Sequence, residues 1–158
     1  MAKRFVSGCQ CISMYVSVVG GQQCSPELYD EAVAIGRHIA ELPAVLVTGG
    51  LGGIMEAASK GAQQAGGTTI GIIPTENRRD GNPHLNHVIM TGIGQARNAL
   101  VVLNGDLVVA IDGRHGTLSE IAMAVKYGRP VFGYKSWDID IPNFDDIDEL
   151  FQAIQEHL

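Results

Sequence analysis

The sequence predicts an α/β domain built on a mostly parallel sheet with helices on both faces. Short apolar runs rich in Val and Ile alternate with segments of helical periodicity along the chain. Most of these runs lack the polar alternation of a strand with one solvated face, so they suit strands covered on both faces. The links between the elements are short, which favours parallel strands joined by right-handed crossovers.

The elements follow one another in a regular order. The predicted strands are Ile12–Val19, Ala44–Thr48, Thr68–Ile73, His87–Met90, Leu107–Ile111 and Pro130–Tyr134. The first predicted helix has Ser25 as its cap and Pro26 at its first position, and it ends at Pro43. Four more helices are predicted over about 53–65, 95–103, from near Thr117 to Gly128, and 145–157. A length of 158 residues suits a single Rossmann-like domain over residues 1–158.

Composition and charge exclude several classes of protein. Hydrophobic residues make up 46% and charged residues 18%, as in globular chains rather than disordered ones. The formal net charge of −6 argues against a nucleic-acid surface, which needs a basic face. The sequence contains no uninterrupted apolar stretch of roughly 18 residues and no clear signal peptide. We therefore expect a cytoplasmic protein that binds neither nucleic acid nor membranes.

No metal site is predicted. Cys9 and Cys11 form a C-x-C pair and Cys24 stands alone, which is a weak zinc pattern without a second pair of ligands. His84 and His87 have H-x-x-H spacing, but His84 follows Pro83 in a loop, so the helical geometry of a metal motif is missing.

Glycine-rich loops follow four of the predicted strands. They are Gly20-Gly21-Gln22, "TGGLGG" at 48–53, "TGIG" at 91–94 and "DGRHGT" at 112–117. Parallel strands place these loops at one edge of the sheet, where ligands of such folds bind. Glycine lets the backbone approach an anion closely, and helix N-termini direct free N–H groups at it. We interpret the loops as an anion site, although tight strand-to-helix turns also recruit glycine.

Two standard nucleotide motifs are absent. The chain contains no G-x-x-x-x-G-K-[ST] segment. "GIGQAR" imitates G-x-G-x-x-G, but Arg97 occupies the third glycine position, which permits close packing of helix and strand around a dinucleotide. A nicotinamide-dependent oxidoreductase is therefore disfavoured.

Two segments resemble the LOG-like proteins, a group often mislabelled as lysine decarboxylases. "TGGLGGIMEAASKGA" resembles their GGxxGxM segment, and "DGRHGTLSE" resembles their PGGxGTxxE segment. "TGIGQARN", "GTLSEIAMAVKYGRPV" and "GGTTIGIIP" most resemble the molybdenum cofactor carrier protein-like branch. The resemblance implies a Rossmann-like fold, homo-oligomers (dimers or tetramers) and ligands that carry phosphate. The family's enzymes cleave the N-glycosidic bond of nucleoside 5′-monophosphates, whereas the carrier branch implies binding of a phosphorylated pterin cofactor.

The resemblance also carries functional positions onto this chain. Ligand binding is expected at two sets of positions. Gly20 and Gly21 come from the glycine-rich loop after the first strand. The motif positions are Gly49, Gly50, Gly53, Met55, Gly113, Arg114, Gly116 and Thr117. Arg97 and Glu120 match the catalytic pair of the enzymes. Two departures bear on activity, since Asp112 replaces the motif's proline and Arg114 replaces its second glycine.

The chemistry of these side chains leaves alternatives open. Glu120 suits stabilisation of an oxocarbenium-like sugar or activation of water, and Arg97 suits a fork of donors for phosphate. Both also suit a helix-start acid and its ion-pair partner. Thr117 is suited to contact phosphate or to cap the helix. His115 is suited to transfer a proton or to be a solvated side chain.

Two functions follow from the sequence. The first is a binding protein for a nucleotide or a molybdopterin-type cofactor, with no other cofactor required. The alternative is a nucleoside 5′-monophosphate phosphoribohydrolase. Lysine decarboxylation is disfavoured, because pyridoxal phosphate needs a lysine at the cofactor site and neither Lys60 nor Lys126 lies at a strand's carboxyl end.

Association between copies is expected through helix faces. Small apolar residues occur on more than one side of the two helices concerned: Ala57, Ala58, Ala122, Met123 and Ala124.

Overall fold

The computed structural model describes residues 14–158. Its strands are β1 (Met14–Gly20), β2 (Ala44–Thr48), β3 (Thr69–Ile73), β4 (His87–Met90), β5 (Leu107–Ile111), β6 (Val131–Tyr134) and β7 (Asn143–Phe144). Its helices are α1 (Pro26–Glu41), α2 (Ile54–Gln64), α3 (Asn98–Leu103), α4 (His115–Lys126) and α5 (Ile147–His157). Two 3₁₀ turns cover Arg78–Asp80 and Gly94–Arg97.

The strands form one sheet in the order β4-β3-β2-β1-β5-β6-β7. All six pairings between the described strands are parallel, which confirms and sharpens the predicted mostly parallel sheet. The chain builds outward from β1 to β4 on one side, then returns to add β5, β6 and β7 on the other. The order therefore reverses between β1 and β5, and the loops that follow these two strands diverge there. Such a point opens a crevice at the carboxyl edge of the sheet.

Helices cover both faces of the sheet, as predicted. Val16 and Val18 of β1 point to the face that α1, α2 and α5 cover. Val19 points to the opposite face, which packs against α3 and α4. Every residue of β5 is buried, because this strand lies centrally and is covered on both sides.

Close packing of α1 against α2 corrects one sequence-based argument. A Cβ atom on Gly36 would lie 2.0 Å from the Ala58 carbonyl oxygen, and one on Gly61 would lie 1.8 Å from that of Val33. The two helices touch at these glycines, so Ala57 and Ala58 are fully buried inside the protomer. Their small size serves contact between helices of one chain rather than between chains. Ala124 is also fully buried, so only Ala122 and Met123 of the residues named for association retain exposed surface.

Several boundaries differ from those predicted. Helix α4 begins at His115 rather than near Thr117, because the Arg114 carbonyl already accepts the first helical hydrogen bond, from Leu118 N at 2.9 Å. The short β7 is an addition with no apolar run to signal it. The start of the first predicted strand, and Cys9 and Cys11, lie outside the described residues.

No helix within residues 14–158 combines the length and apolar character needed to cross a bilayer. Over the same residues, no group of three or more His, Cys, Asp or Glu side chains is arranged to hold a metal ion.

Candidate ligand-binding cleft

A cleft of about 850 Å³ opens where the strand order reverses between β1 and β5. Its walls come from the loop after β1, the start of α2, the 3₁₀ turn before α3, the loop after β5 and the first turns of α4. The lining side chains and glycines are Gly20, Gly21, Gln22, Gln23, Cys24, Ser25, Leu51, Gly52, Met55, Gln95, Arg97, Asn98, Asp112, Gly113, Arg114, Gly116, Thr117 and Glu120. Nine of the twelve predicted site residues are in this set.

The N-terminus of α4 is open toward the cleft. Arg114 occupies the N-cap position with an extended backbone, and its side chain makes no capping hydrogen bond. The first N–H groups of a helix have no partner within the helix, and they carry its positive dipole end. A Cβ atom built on Gly116 meets no heavy atom within 4 Å, so this first turn faces empty space. The arrangement is suited to an anion.

The loop that leads into α4 is held from behind. Ser136 Oγ donates to the Asp112 carbonyl at 2.9 Å, and Trp137 Nε1 donates to the Arg114 carbonyl at 3.2 Å. The loop has an unusual backbone, since Asp112 has φ +45° and Gly113 has φ +102°. A side chain on Gly113 would lie 2.2 Å from Thr117 Oγ1, so glycine is needed here for Thr117 to close on the loop. Segment 136–137 thus fixes the shape of the opening.

The start of α2 is closed by contrast. Ile54 N donates to the Gly21 carbonyl at 3.0 Å, which uses the first N–H group of this helix. Gly53 has φ +63°, and a Cβ atom there would lie 2.4 Å from the same carbonyl oxygen. On Gly49 a Cβ atom would meet Arg97 Nη2 at 2.7 Å, and Gly50 has φ +75°. Gly49, Gly50 and Gly53 lie behind the cleft wall and do not line it.

Arg97 lies beneath the cleft and ties together the ends of two strands. Its side chain is 3% exposed. Nε donates to the Ile72 carbonyl at 2.8 Å, and Nη2 donates to the Gly49 carbonyl at 3.2 Å. Nη1 donates to the side-chain oxygens of Gln95, at 3.4 Å, and Asn98. Burial lowers the pKa of Arg97, and the nearby Glu120 carboxylate opposes that shift.

Glu120 is the buried acid of the cleft. Its side chain is 8% exposed, and it makes no hydrogen bond or ion pair with any described residue. Arg97 is close enough to affect its titration, yet no ion pair joins the two side chains. Burial raises the pKa of Glu120 to about 7, and the positive charge of Arg97 limits the rise. The arrangement differs from the ion pair that the sequence left open.

The sequence missed several lining residues. Gln22, Gln23 and Cys24 follow β1 directly, and Gln95 and Asn98 flank Arg97. Gln22, Gln95 and Asn98 stand inside segments that the sequence singles out, but only their position after a strand marks them individually. Burial raises the pKa of the Cys24 thiol, and Asp112 adds to that rise.

His115 does not line the cleft, although it stands between Arg114 and Gly116, which do. His115 is exposed and faces Trp137, with 6.0 Å between the ring centroids. None of the described lysines lines the cleft: Lys60, Lys126 and Lys135.

The fold and the cleft together define a Rossmann-like α/β protein with an open cleft at the reversal of strand order. Residues 13–156 match the SLOG cluster4 family, a LOG-like group, and the chain belongs to that family.

The most informative similarities are to two solved structures and one sequence. The molybdenum cofactor binding protein of Rippkaea orientalis is 33% identical, with a TM-score of 0.86 over 92% of this chain and 97% of that one. The molybdenum cofactor carrier protein of Chlamydomonas reinhardtii is 28% identical, with a TM-score of 0.83 over 91% and 97% of the two chains. An uncharacterised protein of Archaeoglobus fulgidus is 41% identical over 122 residues, 77% of this chain and 80% of its own. The resemblance to the carrier branch is thereby confirmed.

Proposed function

We propose that this protein binds a phosphate-bearing small molecule of the molybdopterin type and holds it in the cleft without turning it over, acting in the cytoplasm. The observation that carries the proposal is the uncapped N-terminus of α4, which opens onto a cleft of about 850 Å³. Backbone N–H groups and the helix dipole attract phosphate there without needing a basic surface. A net charge of −6 is compatible with such a local site.

The cleft wall supports a polar ligand. Besides Cys24, Leu51 and Met55, it consists of glycines, amide side chains, hydroxyls and charged groups. Arg114, which replaces a motif glycine, is exposed at the mouth and gives the anion a side-chain partner. The likeness to the Rippkaea and Chlamydomonas proteins, whose names describe binding and carriage of the molybdenum cofactor, supports a pterin ligand.

A charge reversal at the helix start tests the phosphate site. Gly116→Asp places a carboxylate where the phosphate is expected, and binding of ribose 5-phosphate measured by calorimetry should be lost. Gln155→Glu, on the exposed side of α5, adds the same charge away from the cleft and serves as the matched control. Equal affinity in all three proteins would overturn the phosphate site.

One observation favours the second candidate, a nucleoside 5′-monophosphate phosphoribohydrolase. Glu120 has a pKa of about 7 in the cleft, which suits a general acid or base at neutral pH. The test follows free base by chromatography after incubation with AMP, GMP, CMP, UMP and IMP. Release that disappears in Glu120→Gln would make the protein an enzyme, and absence of release with retained binding supports the carrier function.

We also propose that the protein forms dimers or tetramers through α3 and α4. Large apolar side chains are exposed on these adjoining helices, with Leu100 at 37%, Leu103 at 40% and Val125 at 56%. Light scattering at micromolar concentration should give a multiple of the 16.8 kDa chain, and Val125→Glu should shift it to the monomer.

A further inference from the structure

The carboxyl group of Glu120 lacks a partner within the described part of the chain. Its side chain is 92% buried, since 8% is exposed, and it lines the cleft. Its carboxyl oxygens keep access to solvent through the cleft, so their hydrogen bonds come from water or from a bound ligand. A ligand that fills the cleft can supply the missing donors. Phosphate cannot do so when fully ionised, because it then offers only acceptors, so the group that faces Glu120 belongs to another part of the ligand.

Arg97 fixes the orientation of two amides beside this acid. The guanidinium has only donors, so the side-chain oxygens of Gln95 and Asn98 must be the atoms that face it. The NH₂ groups of both amides therefore point away from Arg97. Both residues line the cleft, and neither NH₂ group donates to a described residue. The same wall thus offers amide donors and a carboxylate acceptor.

This donor and acceptor pattern specifies a complementary ligand edge. We infer that the part of the cleft formed by Gln95, Asn98 and Glu120 binds the lactam edge of a 2-amino-4-oxo pyrimidine ring, as found in pterins and guanine. The ring carbonyl accepts from the amides, while the ring N–H and the exocyclic amine donate to the carboxylate. The inference rests on the proposed function, because the phosphate site holds the other end of the same ligand.

Adenine is the informative contrast. Its corresponding edge has an unprotonated ring nitrogen and an amine in place of the carbonyl. It therefore presents an acceptor to Glu120 and a donor to the amides. Hypoxanthine keeps the carbonyl and the ring N–H but lacks the exocyclic amine. The three bases form a graded series on an identical ribose 5-phosphate.

The experiment titrates the full-length protein with GMP, IMP, AMP and ribose 5-phosphate by calorimetry at about pH 8, where Glu120, with its pKa of about 7, is mostly an ionised acceptor. We expect GMP to bind about tenfold or more tightly than AMP, as for a bidentate base contact, with IMP between them. Glu120→Gln replaces one acceptor oxygen by a donor and should abolish the preference for GMP over IMP. Glu41→Gln, an exposed acid near the end of α1, is the matched control and should keep the wild-type ranking.

The outcomes separate this inference from the proposed function. Equal affinity for GMP, IMP and AMP, with ribose 5-phosphate still bound, would overturn the lactam contact and leave the phosphate site in place. Failure of all four ligands would overturn both. A sugar contact is the remaining source of donors, and 2′-deoxy-GMP tests it. If affinity falls tenfold when the 2′-hydroxyl is removed, rather than when the base is changed, Glu120 binds the sugar and the inference is wrong.

Discussion

The two helices that begin beside the cleft start in opposite ways, although both follow a glycine-rich motif. At α2, glycines allow close packing, the first N–H group is used by Gly21, and added Cβ atoms would clash. Neither helix has a side-chain cap, but at α4 no described backbone carbonyl accepts from the first N–H group, and Gly116 faces open space. Similar motifs therefore have different structural roles: the first packs parts of the protein together, and the second leaves backbone N–H groups free at the cleft. Four substitutions test this difference, from the largest expected effect to the smallest.

Gly53→Ala, at the closely packed start of α2, should cause the largest loss of stability. The backbone at φ +63° disfavours any side chain, and the new methyl group would lie 2.4 Å from the Gly21 carbonyl oxygen. We expect the free energy of unfolding to fall by about 3 kcal/mol or more in urea titration. Gly66→Ala has φ +77° but no atom within 4 Å, so this control isolates backbone strain and should cost about 1 kcal/mol. Equal losses in the two variants would contradict the role of close packing at Gly53.

Glu120→Gln, in the helix α4 that starts at the open side of the cleft, should stabilise the protein in a pH-dependent way. The pKa of Glu120 is about 7 in the folded protein and near its ordinary value of about 4.3 when unfolded. Folding therefore takes up a proton between these values, and wild-type stability declines as pH rises from about 4 to about 7. Glutamine escapes this decline, so its free energy of unfolding should exceed that of wild type by up to about 3 kcal/mol at pH 8. Near pH 4 the advantage should vanish in denaturant titrations, and a constant difference would disprove the proton uptake.

Arg97→Met should affect both the packed region at the start of α2 and Glu120 in α4, because this arginine lies between them. The substitution leaves the carbonyls of Gly49 and Ile72 without their side-chain donor, and we expect a loss of about 2 kcal/mol in urea titration. It also removes the positive charge that limits the pKa of Glu120, so that pKa should rise further. The pH profile of stability reports the second effect. If the variant is destabilised but its stability depends on pH as in wild type, Arg97 stabilises only the strand ends beside the start of α2.

Gly116→Ala should have the smallest effect on stability. Nothing lies within 4 Å of the added methyl group, and alanine is favoured over glycine in a helix by up to about 1 kcal/mol. The melting temperature should therefore hold or rise slightly. Calorimetry should show weaker binding of ribose 5-phosphate, since the methyl group enters the cleft. A clear loss of stability would mean that Gly116, like Gly53, is required for close packing.

The fold was largely predictable from the sequence, for physical reasons. Strands that are buried on both faces, such as β5, show continuous apolar runs, and Ser25 with Pro26 identifies the start of α1. The two residues of β7 have no such pattern, because that strand depends on pairing with β6.

The cleft was predictable at its glycine motifs and less so between them. The sequence indicates where Gly113 and Glu120 stand along the chain, but it does not reveal that Arg97 donates to backbone carbonyls instead of pairing with Glu120. That choice depends on which strand ends lie beside each other in space. Gln95 and Asn98 stand in the segment TGIGQARN, but the sequence did not identify them as site residues, because their orientation depends on hydrogen bonds from Arg97.

Trp137 gives the molecule an optical reporter. It is the only tryptophan of the chain, and its indole N–H is hydrogen-bonded to the loop that opens onto the cleft. Its intrinsic fluorescence therefore comes from one position, a single hydrogen bond away from the start of α4. A ligand that shifts the Arg114 carbonyl changes the polarity around the indole and hence its emission. Occupancy of the cleft can thus be followed in unlabelled protein, at concentrations too low for calorimetry.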